Sequence, residues 1–320
     1  MLHGVLVVNK PPAMTSHDVV DRIRRVTKMR RIGHTGTLDP MATGVLPLCL
    51  GKATRIAEFL QAEDKVYEVE MLLGITTDSQ DTTGQVVETR TTNDLEEAKI
   101  KEVFGQFFGP QEQIPPMVSA RHHQGRRLYE LARQGIEVPR EPKKINIWNL
   151  EILLMEMPRI RFRVHCSKGT YVRTLCHDLG QKMGPGAAMS ELMRLKCGRF
   201  LIQDAVPLDQ LGSREIVENY LRDMDEALSQ YPQVFLKEEA VRPVLQGAQI
   251  VERCIEKRQG EFQAEEWVRV SDPNGKLLAM AEARVGSKGL GNLEVKEPAF
   301  HPVKLLADCQ ASLSTVGYKL

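Results

Sequence analysis

The chain has 320 residues, 42% hydrophobic and 27% charged, which is enough apolar material for a sizeable core and excludes a disordered polymer. No uncharged apolar run reaches the length of a membrane span, and the six scattered cysteines form no CxxC pair, so a reduced cytoplasmic protein is expected. The formal net charge of +1 hides an uneven spread: +5 over residues 1–60, −8 over 61–114, +9 over 115–200 and −5 over 201–320.

Gathered on one face, the two basic blocks make a stripe suited to a polyanion. In chain order, Gly4 to Val8 reads as a buried strand that runs into a Pro-rich loop, with no signal-peptide cleavage pattern. Thr15 and Asp18 have capping-box spacing. Val19, Val20, Ile23 and Val26 then mark the apolar face of a helix whose other face and tail carry Arg22, Arg24, Arg25, Lys28, Arg30 and Arg31. These cations lead directly into Arg31-Ile32-Gly33-His34-Thr35-Gly36-Thr37-Leu38-Asp39-Pro40-Met41-Ala42-Thr43-Gly44, a segment too glycine-rich and irregular for helix or strand. Asp39, before a proline, is biased out of helical dihedrals. Read alone, an Asp-Pro pair suggests an Asx-turn in which Asp39 bonds the local backbone.

Further on, Tyr67, Val69, Met71 and Leu73 alternate with Glu68 and Glu70, as on a half-buried strand. Helices are predicted over Asp94–Phe104 and Leu128–Gln134. Ile145–Met157 and Ile160–Cys166 read as an antiparallel pair, the second with Arg161, Arg163 and His165 on a basic outer face. A turn at Ser167-Lys168-Gly169-Thr170 precedes a predicted helix over Tyr171–Met183, and a helix-like run covers Asp209–Ser229. The fold class is α+β, a mixed and mainly antiparallel sheet with helices. A boundary near Gln230-Tyr231-Pro232 divides a catalytic unit, residues 1–230, from a small all-β unit, residues 231–320, punctuated by Asp272-Pro273-Asn274-Gly275.

Several chemistries fail on the residues. Gly44 to Thr54 lacks a P-loop glycine at Leu46 and the hydroxyl expected at Ala53. No HExxH pair or Gly-x-Ser-x-Gly elbow occurs, and His122-His123 point apart on a regular element. A lone loop carboxylate can act without metal or cofactor as a nucleophile on carbon, whereas a glycosidase would want a second carboxylate.

Gly33 to Pro47 resembles the catalytic signature of TruB-type pseudouridine synthases. That resemblance implies that Asp39 is the essential carboxylate and His34 the wedge that displaces the base. Tyr67, in Asp64-Lys65-Val66-Tyr67, matches a stacking tyrosine. In His165 to Leu175, Arg173 matches an arginine that pairs with the aspartate, keeping it ionised and oriented, and Tyr171 a wall of the uracil pocket. Leu192 matches a pocket leucine, and Lys10 and Lys65 are implied substrate contacts. The blocks Lys10-Pro11 to Ser16 and Ile114 to Gly135 match as well, and Val244 to Gly247 with Gly275 to Ala279 resembles a PUA-type RNA-binding barrel. Departures fall at Ala13, Val118, Arg121 and His122. What the resemblance implies is isomerisation of uridine 55 in the tRNA T loop, without cofactor or metal, by a monomer needing no protein partner. Whether Asp39 attacks base or sugar stays open. The alternatives are an RNA-guided ribosomal RNA enzyme and a non-catalytic RNA-binding or folding factor.

Overall fold

The computed structural model describes residues 1–307 apart from 120, 121, 124, 133, 293 and 295. The chain begins β1 (Gly4–Lys10), α1 (Ser16–Thr27), β2 (Ile32–His34), β3 (Thr43–Leu50), α2 (Ala57–Ala62), β4 (Lys65–Leu73), β5 (Ile75–Thr77) and β6 (Val86–Thr89). It continues through α3 (Glu97–Gly105), β7 (Gly109–Gln113), β8 (His122–His123), β9 (Arg126–Arg127), α4 (Leu128–Ala132), β10 (Lys143–Glu156) and β11 (Arg159–Cys166). Then come α5 (Val172–Met183), β12 (Ala187–Cys197), β13 (Phe200–Leu201), β14 (Val206–Pro207), α6 (Arg214–Asn219) and α7 (Met224–Ala227). The last stretch holds β15 (Gln233–Leu236), α8 (Glu238–Leu245), β16 (Ile250–Val251), β17 (Ile255–Gln259), β18 (Trp267–Ser271), β19 (Leu277–Ala283) and β20 (Pro298–Leu305).

The large sheet runs β14-β1-β3-β12-β4-β11-β10-β7, with β2 on β3 and β13 on β12. Only β1–β14 and β3–β12 pair in parallel, so the sheet is mixed and mainly antiparallel, as expected. α1 starts at the Thr15–Asp18 capping box, buries Val19, Val20 and Ile23, and ends on Lys28 in the left-handed region. Gly44, at φ +100°, lets β12 approach β3: a Cβ there would lie 2.3 Å from the Arg194 carbonyl oxygen. At Ala13, where the family pattern expects glycine, φ is +61°, a backbone that a Cβ disfavours.

Three expectations change. The ends of the glycine-rich segment, read as too irregular for a strand, form β2 and the start of β3, leaving only residues 35–42 as loop. The run Asp209–Ser229 is not one helix: Ser213 and Asp223 cap separate short helices α6 and α7, and Arg222 between them makes a two-way backbone bridge to Val5. The basic outer face of β11 is neutralised. Register sets Arg161 opposite Glu70 and Arg163 opposite Glu68 on β4, and Arg161 bonds Glu70 at 3.1 Å, while His165 meets Asp64. That face is an ion-pair lattice, not a free cationic stripe.

The C-terminal six-stranded sheet runs β16-β20-β19-β18-β15-β17 around its own core, with α8 as its one α-helix among the described residues. It is joined to the first unit by a shared apolar cluster. Phe59 of α2 is fully buried, with its ring centroid 4.7 Å from Trp267 and 6.5 Å from Tyr231, both edge-on. Tyr231 also donates its hydroxyl hydrogen bond to Glu63, and Arg269 holds Asp225 at 2.8 Å. Cys49, Cys166, Cys176 and Cys197 are buried free thiols, and Cys254 is a half-buried one; Cys309 lies outside the described residues, as does Arg121. Among the described residues no helix is long and apolar enough to cross a membrane.

Candidate active site

The glycine-rich loop between β2 and β3 is pinned at several points. Thr35 N–H donates to the Pro47 carbonyl at 3.1 Å. The Ser16 hydroxyl, buried at the start of α1, accepts from Leu38 N–H at 2.8 Å and donates to the Leu38 carbonyl at 3.1 Å. Lys10 spends its ammonium on the carbonyls of Pro11 (2.9 Å), Met14 (2.6 Å) and Pro40 (3.2 Å). With no exposed surface, Lys10 clamps the Asp39-Pro40 turn to the loop before α1; the expected direct substrate contact is not available to it in this arrangement. Burial lowers its pKa to about 8 even though Asp39 lies close.

Held this way, the Asp39 side chain leaves the local backbone and reaches α5. Its Oδ2 accepts from Arg173 Nε at 2.9 Å and its Oδ1 from Arg173 Nη2 at 3.3 Å, a two-point grip. The remaining guanidinium hydrogens are also engaged. Nη1 donates to the Ser79 carbonyl at 3.0 Å and to Asp81 at 3.4 Å, and Nη2 to the Val118 carbonyl at 2.8 Å. Val118 therefore serves through its backbone, whatever its side chain. Burial pushes the Asp39 carboxyl above the usual carboxylate range, with Asp81 adding to the rise; Arg173 and Lys10 pull the other way. Sequence reasoning expected Arg173 to set the direction, but desolvation outweighs it.

A cavity of about 390 Å³ opens over this pair. Asp39, Tyr67, Tyr171, Arg173, Leu192 and His34 all line it, and Lys65 closes one side. Tyr67 is 8% exposed, and burial raises its hydroxyl pKa to about 12. His34, at the end of β2, accepts at Nδ1 from Gly36 N–H at 3.4 Å; burial and then Arg194 lower its pKa, favouring a neutral ring. Tyr171 is fixed through its backbone, where the Gln113 amide both accepts (2.7 Å) and donates (3.0 Å). Lys65 is 6% exposed, and its ammonium donates to the carbonyls of Gln61 (2.8 Å) and Glu63.

Two residues here escaped sequence reasoning. Asp81, its side chain 6% exposed, backs Arg173 from the far side and accepts hydrogen bonds from the Ser79 and Thr83 hydroxyls. Arg194, 1% exposed, lines the cavity from β12. Asp81 sits in the acidic block and Arg194 in a strand with Lys196, so both read as surface charge. Among the described residues no cluster of three or more His, Cys, Asp or Glu is placed to hold a metal ion.

The sequence matches the TruB family pseudouridylate synthase N-terminal domain over residues 24–172, the tRNA pseudouridylate synthase B C-terminal domain over 173–230 and the PUA domain over 232–297. It is 42% identical to the tRNA pseudouridine synthase B of Pelotomaculum thermopropionicum, an alignment covering 96% of this chain and 98% of that one. It is 46% identical to that of Clostridium kluyveri, over 78% and 86%. Among solved structures it is similar to a chain of an H/ACA RNP bound to a substrate RNA containing 2'-deoxyuridine, with TM-score 0.75 and 27% identity over 96% and 86% of the two chains. The chain of an archaeal box H/ACA sRNP gives TM-score 0.74 and 26% identity, over 96% and 87%. A pocket carboxylate gripped by a buried arginine beside an aromatic wall thus occurs in a chain that matches the Pelotomaculum protein over nearly its whole length, and the protein belongs to the TruB pseudouridine synthase family.

Proposed function

We propose that this chain isomerises uridine 55 in the T loop of tRNA to pseudouridine. The observation that carries this reading is the Arg173-gripped Asp39 at the edge of a nucleotide-sized cavity lined by Tyr67 and Tyr171. Support for tRNA, over an RNA guided to its target by a second RNA, comes from the identities: 42% and 46% to proteins named for tRNA, 26–27% to the H/ACA chains.

The base must leave its stack to reach Asp39. His34, neutral and braced by Gly36, fills the space it vacates, and Tyr67 and Tyr171 receive its faces. Asp39 then attacks as its ionised form, oriented by both Arg173 contacts, and the glycosidic bond breaks. The uracil turns within walls that include Leu192, and carbon-5 joins the sugar. Loss of the carbon-5 proton completes the isomer, and Tyr67, which lines the cavity, takes it. The exposed Arg25 in the last turn of α1, with Lys28, Arg30 and Arg31 just beyond it, supplies phosphate contacts next to the loop. The enzyme works as a cytoplasmic monomer, and residues 231–320 add affinity for the rest of the tRNA.

The test is incubation of the purified chain alone with unmodified tRNA, followed by position-resolved pseudouridine mapping. A single modified position in the T loop is the expected result, abolished in Asp39→Asn while RNA binding persists. Binding without product by the parent chain would leave the non-catalytic factor as the reading. Product only with an added guide RNA would favour the guided enzyme.

A further inference from the structure

Arg173 and Arg194 are both buried at the same cavity, yet their surroundings differ. Arg173 lies between two carboxylates, Asp39 and Asp81. Arg194 has no carboxylate oxygen within 4.0 Å among the described residues, and its guanidinium is spent on neutral oxygens: Nε on the Val45 carbonyl at 2.6 Å and Nη2 on the Gly36 carbonyl at 3.2 Å. Its third neighbour is Tyr67. The β12–β4 register sets Arg194 directly opposite Tyr67, side chains on one face, and the guanidinium charge acts on the phenol, favouring its ionised form. Burying a cation without a counter-charge is costly, and two neutral acceptors offset only part of it. Such a cation suits a site where an anion forms transiently in front of it.

We propose that Arg194 is the positioning residue for Tyr67, holding the phenol oxygen toward the flipped uracil and acting as its counter-ion while that oxygen is charged. The proposal rests on the reading above that Tyr67 takes the carbon-5 proton. The balance is simple. Tyr67 loses its proton to water; the phenolate oxygen bonds the hydrogen of carbon-5; the electron pair of that C–H bond forms the carbon-5 to carbon-6 double bond; the pair of the carbon-6 to nitrogen-1 double bond moves onto nitrogen-1, which takes a proton from water; Tyr67 ends neutral. Burial opposes the first step and Arg194 favours it. The Val45 and Gly36 bonds keep the guanidinium from following the substrate, so its charge stays at the phenol.

The competing role is a staple, in which Arg194 merely ties β12 to the Gly36 loop. A double-mutant cycle separates the two, using the full chain and unmodified tRNA under single-turnover conditions. Arg194→Gln should lower the rate about 100-fold or more, as expected for a lost proton-transfer function, with RNA affinity changed by less than about threefold. In Tyr67→Phe, which lacks the oxygen, adding Arg194→Gln should cost less than about threefold further. Arg194→Lys keeps the charge and should recover at least about tenfold of the loss. If Arg194→Gln does not fold, Arg194→Lys is carried through the same cycle, where its smaller loss should vanish in Tyr67→Phe. Equal losses with and without the Tyr67 oxygen, or parental rates in Arg194→Gln, would overturn the proposal. Parental turnover by Tyr67→Phe alone would instead remove Tyr67 from proton transfer, a failure of the earlier reading that the single variant reveals by itself.

Discussion

Replacing Arg173 by Met tests the centre of the site. The side chain is 6% exposed and makes contacts of 2.8–3.4 Å with Asp39, Asp81, Ser79 and Val118. Methionine fills much of the volume but leaves Asp81, 6% exposed, and Asp39, 31% exposed, facing each other without a cation. Removing one partner of a buried pair costs about 3–5 kcal/mol. Solvent reaching Asp39 screens its share, so the lower end applies, about 3 kcal/mol. For a chain of this size that corresponds to a fall in Tm of about 6–12 °C. Arg173→Met with Asp81→Asn removes one of the two stranded charges and should recover about 1–2 kcal/mol of it. Turnover should be lost in both, because the second substitution restores stability but not the grip on Asp39. Calorimetry at neutral pH and pseudouridine mapping read the two effects separately. An Arg173→Met chain that melts within about 2 °C of the parent, or still makes product, would refute the argument that this guanidinium neutralises and orients the carboxylate pair.

Four further outcomes follow from the geometry. The raised Asp39 carboxyl places the acid limb of the single-turnover rate above the usual carboxylate range: the rate rises with pH as Asp39 ionises, and a limb at or below pH 4 would contradict the burial seen here. Burial raises Asp178 to about pH 6. Its folded value exceeds its unfolded one, so the stability it contributes is present below pH 4 and lost as pH climbs through 6. Asp178→Asn should remove that loss, worth at most about 2 kcal/mol once solvent around this half-buried group is allowed for, as read by urea unfolding at pH 4 and 7. Truncation after Ser229 uncovers Phe59 by removing Tyr231 and Trp267; stability should fall by about 2–4 kcal/mol, with activity on a T-arm hairpin retained at low temperature and lost on warming. Ala13→Gly relieves a left-handed backbone and should raise stability by about 0.5–1 kcal/mol, detectable as a higher urea midpoint.

What the sequence disclosed was local in origin. The Thr15–Asp18 box, the alternation in β4 and the turn at Asp39-Pro40 each state their conformation within a few residues, and the structure has all three, although the ends of the glycine-rich segment belong to β2 and β3. The helix-like run Asp209–Ser229 misled because periodicity ignores the caps inside it. Serine 213 and aspartate 223 start new helices, and the Arg222 backbone is drawn to Val5 across the sheet.

The rest depends on which strands become neighbours, and no window of residues carries that. Arg161 and Arg163 look like an RNA-facing surface until β11 pairs with β4 and brings Glu68 and Glu70 alongside. The same pairing logic hides a functional cation in plain view. Arg194 resembles any strand arginine, but β12 lies between β3 and β4, and this single placement gives it the Val45 carbonyl on one side and Tyr67 on the other. Charge type was legible throughout; charge partner was legible only where the family resemblance supplied it, as for Arg173 and Asp39. An exposed cation whose partners are carboxylates stabilises a surface, whereas one buried against neutral oxygens is held ready for a charge that only the reaction brings. That difference, set by strand order, separates the arginines of β11 from the arginine of β12.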